Sequence, residues 1–193
     1  VGGNIAMSAG SGDVANGGSV ALSSGSSFEG VGGELSIHAG SSETATGGSV
    51  QLLTGRSVSG SSGSMTIGST TTATGAGSGS VGLMTGSASQ GSAGSLTVRS
   101  GQSQVGHSGD VSVVAGDSSS GGNGGTIQFR AGSSNDMTGG AIQASSGASQ
   151  VQSSGQVSIS TGRGAASSGD VVVATGDAAG GSSGRLVLSS GES

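Results

Sequence analysis

The sequence predicts an all-β protein: a parallel β-solenoid (β-helix) of about thirteen 15-residue coils with a thin, flattened cross-section. Three observations lead there. Glycine (45) and serine (46) make up nearly half of the 193 residues, with no proline or cysteine. Glycine recurs at positions 10, 25, 40, 55, 86, 101, 116, 132, 147, 162, 176 and 191, with Thr70 standing where one such glycine is missing. Ahead of each of these positions lies a pair of apolar residues, nearly all aliphatic, two apart. Glycine and serine at this level ordinarily mean a flexible chain. Here the apolar residues, 30% of the total, are placed on a period instead of scattered.

Each copy opens with a β-like segment. Gly18-Ser-Val20-Ala-Leu22-Ser-Ser-Gly25 is followed by Gly33-Glu-Leu35-Ser-Ile37-His-Ala-Gly40 and Gly48-Ser-Val50-Gln-Leu52-Leu-Thr-Gly55. A spacing of two puts both aliphatic side chains on one face of an extended strand. The predicted core comprises Val20, Leu22, Leu35, Ile37, Val50, Leu52, Met65, Ile67, Leu96 and Val98. It continues through Val111, Val113, Ile127, Phe129, Val157, Ile159, Val171, Val173, Leu186 and Leu188. Ile5/Met7, Val81/Leu83 and Ile142/Ala144 belong to the same series. β-Branching favours strand, and glycine opposes helix by about 1 kcal/mol relative to alanine.

The second half of each copy is an arc of small residues, such as Ser41-Ser-Glu-Thr-Ala-Thr-Gly47. Its second position is small in nearly every copy: Gly12, Ser27, Ser42, Ser57, Thr72, Ala88, Ser103, Ser118, Ser134 and Ser149. That column suggests side chains turned into a narrow interior. Departures from the period fall in the arcs: Gly77-Ser-Gly79 and Gly121-Gly-Asn-Gly-Gly125 each hold one extra residue, and Arg163–Gly169 lacks one.

One copy cannot fold alone. Two buried aliphatics contribute about 1.5–3 kcal/mol each, against roughly 1–2 kcal/mol of backbone entropy per residue. Winding would let each strand pair with its equivalent one copy away and stack the aliphatics into internal columns. Thirteen coils about 4.8 Å apart would make a rod on the order of 60 Å long. Residues 1–193 are expected to form one continuous array. The chain enters inside a copy at Val1 and stops just after a closing glycine, without a charged cap, which suggests an excerpt of a longer array or rods stacked end to end.

Chemistry is sparse. Charged residues are 8% of the chain, all five basic ones are arginine, and the formal net charge is −5. No Walker lysine, basic nucleic-acid surface, cysteine framework or apolar run of membrane-spanning length is present. His38 lies at an outward strand position and His107 in an arc. Asp110 and Asp117 are the carboxylate pair of most interest, but nothing aromatic and no long loop accompanies them. The expectation is a protein that is not an enzyme, with no cofactor and no metal. Gly121-Gly-Asn-Gly-Gly-Thr-Ile-Gln-Phe129 resembles the calcium-binding nonapeptide solenoids, yet Thr126 occupies the ligand position. Glycine clusters such as Gly75-Ala-Gly-Ser-Gly79 read as turns. The outward column (Ser36, Gln51, Thr66, Gly82, Thr97, Ser112, Gln128) is too irregular for the Thr-x-Thr lattice of short-coil insect antifreeze proteins.

The recurring Gly-Gly-x-Val-x-Leu-x-x-Gly pattern resembles the Gly/Ser-rich tandem-repeat β-solenoids of extracellular fibres, surface appendages and adhesin stalks. The resemblance spans the whole chain and implies a structural role, extracellular or at the cell surface. The expected function is a stiff rod forming the core or stalk of a filament. Its partners would be further copies, joined end to end or laterally, with no nucleic acid and no membrane insertion. The alternative is a binding surface for ice or polysaccharide.

Overall fold

In the computed structural model the described residues are 2–72, 77–119 and 121–192. Among them there is neither a helix nor a paired β-strand. The parallel β-solenoid expected from the sequence is therefore corrected. The backbone–backbone hydrogen bonds among the described residues all join glycines eight or nine positions apart, and none joins equivalent residues one repeat apart. The ladder that would hold successive coils together is absent from these residues, and the rod derived from it falls as well.

The period itself governs the structure. Among the described residues the chain bends at 13–15, 28–30, 43–45, 58–60, 89–91, 104–106, 119, 121–122, 135–137, 150–152, 165–166 and 179–181. Every bend lies in the small-residue half. The aliphatic halves between bends run without backbone hydrogen bonds of their own among the described residues. Part of the turn read at Gly75–Gly79, namely Gly75 and Ala76, lies outside the described residues.

Two units are distinguished by their internal contacts, Val1–Leu96 and Thr97–Ser193. In the first, the arcs Gly10–Gly18, Gly25–Gly33, Gly40–Gly48 and Gly55–Gly63 are closed by a hydrogen bond, and Gly86–Gly94 is not. In the second, Gly101–Gly109, Gly116–Gly125, Gly132–Gly140 and Gly147–Gly155 are closed, whereas Gly162–Gly169 and Gly176–Gly184 are not.

No described residue is buried. The accessible surface is 19221 Å². A compact protein of 17.5 kDa would expose roughly 7,900 Å², and its unfolded chain about 25,000 Å². The expected core residues Val20, Leu22, Leu35, Ile37, Val50, Leu52, Met65, Ile67, Leu96 and Val98 accordingly keep about half or more of their surface in water. So do Val111, Val113, Ile127, Phe129, Val157, Ile159, Val171, Val173, Leu186 and Leu188, the best covered being Ile127 at 44% exposed.

Candidate functional site

Two features repeat with the sequence and together form the site: a self-closed arc and a half-exposed aliphatic face. The arc is built first by its serine. Ser27 Oγ accepts from Gly30 N–H at 2.8 Å, Ser42 Oγ from Ala45 at 3.0 Å, and Ser57 Oγ from Gly60 at 2.9 Å. Ser134 Oγ takes Met137 N–H at 3.0 Å, and Ser149 Oγ takes Gln152 N–H at 2.9 Å. A hydroxyl that satisfies a backbone donor two or three residues on fixes a local turn. At these five serines the small second position of the arc thus caps its own bend, where the sequence pattern suggested an inward-facing column; Gly12 and Ala88 have no hydroxyl to do so. Ser103 differs: its N–H donates to Ser108 Oγ across the arc at 3.4 Å. At Gly91, Gly106 and Gly121 the bend passes through φ values of 90°, 133° and 72°, which L side chains rarely adopt.

The neck of the arc is the second element. The opening glycine donates its N–H to the carbonyl of the preceding closing glycine: Gly18 to Gly10, Gly33 to Gly25 and Gly48 to Gly40 at 2.8 Å, Gly125 to Gly116 and Gly140 to Gly132 at 2.9 Å. All five of these opening glycines follow another glycine, and the residue before the closing glycine is alanine or serine. The gap is narrow. A Cβ added at Gly125 would lie 3.1 Å from Ala115 Cβ and 3.2 Å from Gly116 N; at Gly18 it would lie 3.2 Å from Ala9 Cβ. Where a lone glycine follows serine the bond lengthens, to 3.1 Å at Gly63, 3.3 Å at Gly109 and 3.0 Å at Gly155. Threonine before the closing glycine gives both outcomes: behind Thr54, whose nearest atom to the built Cβ at Gly63 is its own Cβ, the neck still closes at 3.1 Å, and behind Thr85, Thr161 or Thr175 the bond is absent. At these three the threonine methyl stands toward the opening glycine, Thr175 Cγ2 being 3.5 Å from a Cβ built at Gly184. Ser100, Ala115 and Ala131, which precede closing glycines at consecutive necks, are the most covered of the described residues.

The aliphatic face is the third. Most paired positions are less exposed than the other large apolar side chains, Val50 being 54% exposed and Phe28 in an arc fully exposed; Ile5 and Leu188 among the pairs, and Val187 outside them, depart from this. Leu53 and Met84, on the outward side, are also nearly fully exposed. The alternation legible in the sequence survives as a difference in cover, without a core beneath it.

Titratable groups do not converge. No three of His, Cys, Asp and Glu approach a common point among the described residues, and these residues enclose no pocket. Ser36 Oγ and His38 Nε2 share a hydrogen bond on the surface. Residues two apart bonding this way lie on one side of an extended backbone. Asp110 and Asp117 are both exposed. No helix among the described residues is long and apolar enough to cross a membrane.

No family model, curated protein or solved structure matches the chain. The neck is the feature that the periodicity reading missed. Its signal was present in the sequence: alanine or serine before the closing glycine wherever Gly-Gly opens the next copy.

Proposed function

We propose that the chain is a structural repeat element that gains order by associating with further copies of itself, as the material of an extracellular filament or surface appendage. One observation carries this reading. The arcs satisfy much of their own bonding, while the aliphatic faces between them remain at least 44% exposed at every expected core position. Burying apolar surface is worth about 25 cal/mol per Å², and unpaired backbone in a β-prone segment is a template for another strand. Both demands fall on the same residues, and a repeating partner meets both at once. The extracellular setting rests on the resemblance in repeat and composition.

The test is purified chain followed by light scattering, circular dichroism and electron microscopy over a concentration series. Growth of assemblies with a concurrent rise in β signal is expected. A monodisperse monomer with a coil spectrum at all concentrations would sink the proposal. Ice shaping by that monomer would favour the binding-surface alternative.

A further inference from the structure

We propose that the aliphatic faces are covered by a second copy of this chain running antiparallel, in a single register that sets residues 95–99 of one copy against 110–114 of the other. This rests on the self-association reading above and adds to it the direction and the register. The unmet surface is large enough: the excess over a compact protein is several times the roughly 1,200–2,000 Å² of a stable interface. The unpaired backbone also lies in the right place, because eight arcs are closed by a glycine bond and the segments between them hold no backbone bond of their own among the described residues.

Direction follows from symmetry within the segment. Each carries aliphatics at its second and fourth positions, so an antiparallel neighbour sets second against fourth and keeps both pairs on one face. Leu96 then faces Val113, Val98 faces Val111, and Thr97 faces Ser112. A parallel, in-register neighbour would set every charge on its own image, Asp110 on Asp110 and Arg99 on Arg99, which is destabilising.

Register follows from charge. Charged or histidine side chains occur at the first position in Glu34, Asp110, Asp170 and Arg185, and at the fifth in His38, Arg99 and Arg130. First faces fifth in an antiparallel pair. With 95–99 on 110–114, Arg99 meets Asp110 of the second copy. The same register carries 34–38 onto 170–174, where His38 meets Asp170. The ring of His38 uses Nε2 toward Ser36, which leaves Nδ1 to donate to that carboxylate. Within these segments no like charges face each other, and no other whole-repeat antiparallel register joins two such pairs. The two-fold relation makes each contact occur twice.

Cysteine variants test the register, since the chain has no cysteine. Thr97→Cys and Ser112→Cys chains are mixed in equal amounts and oxidised in a glutathione buffer at assembling concentration. Directly opposed residues of an antiparallel pair lie within disulfide reach. The mixed 97–112 disulfide is expected at several times the yield of either self-disulfide. A dominant 97–97 product would mean a register shifted by one repeat, and equal yields would mean none; either overturns the proposal while leaving self-association standing. Chains that stay monomeric overturn both. In parallel, Asp110→Arg should weaken association about tenfold, and Arg99→Asp with Asp110→Arg should restore it to within about twofold. Failure of the double variant to restore it would count against the Arg99–Asp110 pairing itself.

Discussion

The arcs Gly132–Gly140 and Gly176–Gly184 have the same length and lie in the same unit, yet only the first is closed. Around the first stand Ala131 and the pair Gly139-Gly140; around the second stand Thr175 and Ser183-Gly184. At Gly140 a built Cβ would come within 3.4 Å of Ala131 Cβ and Gly132 N, so the two strands of the neck are in contact. At Gly184 the threonine methyl fills that space, and the amide no longer reaches the carbonyl. Threonine alone does not decide closure, because Gly55–Gly63 closes behind Thr54; at Gly184 the methyl of Thr175 is turned toward the opening glycine, and the neck is open. The contrast recurs at Gly40–Gly48 and Gly86–Gly94, which carry Ala39 and Thr85 at the same place.

Amide exchange by NMR can break or sharpen this contrast. The largest effect is expected from Gly125→Val, whose side chain would collide with Ala115 and Gly116: the amide at 125 should exchange about tenfold faster, the loss of a bond worth on the order of 1 kcal/mol. Unchanged exchange there would remove the neck as a structural element. Next is the conversion of the open arc. Thr175→Ala with Ser183→Gly should slow exchange at Gly184 about fivefold, toward the value at Gly140. A single Ala39→Thr change should loosen Gly48 by about threefold, and no effect would mean that Gly-Gly alone closes the neck. The smallest effect is expected from Ser134→Ala, which removes the cap on Met137. Exchange at Met137 should rise about twofold while Gly140 is unmoved, and a coupled loss at both would show that cap and neck form one unit.

These contrasts also show how far the sequence could be read. The fifteen-residue period, and the small-residue half in which the described bends fall, were legible, because turn chemistry and alternation act within a few residues. The relative cover of Val50 and Phe28 was legible for the same reason. The solenoid was not a safe consequence, because periodicity specifies which residues seek cover without specifying what supplies it. Ser27, Ser42 and Ser57 mark the error well: a column of small residues suits a narrow interior and suits a self-capped bend equally. Nothing in composition separates the two, whereas the donor three residues on does. For the catalytic and metal readings, the sequence offered scattered acids and two distant histidines, and the described residues bring none of them into a cluster of three.

The arc from Gly116 to Gly125 carries one residue more than Gly132 to Gly140, and both necks close at 2.9 Å. A codon gained between the two glycines therefore leaves the pinch intact, whereas the arc shortened by one residue, Gly162–Gly169, is open. Genes for such chains can accumulate single-residue insertions in the arcs, and can lengthen or shorten by whole copies through unequal recombination, while each surviving segment still carries its apolar pair.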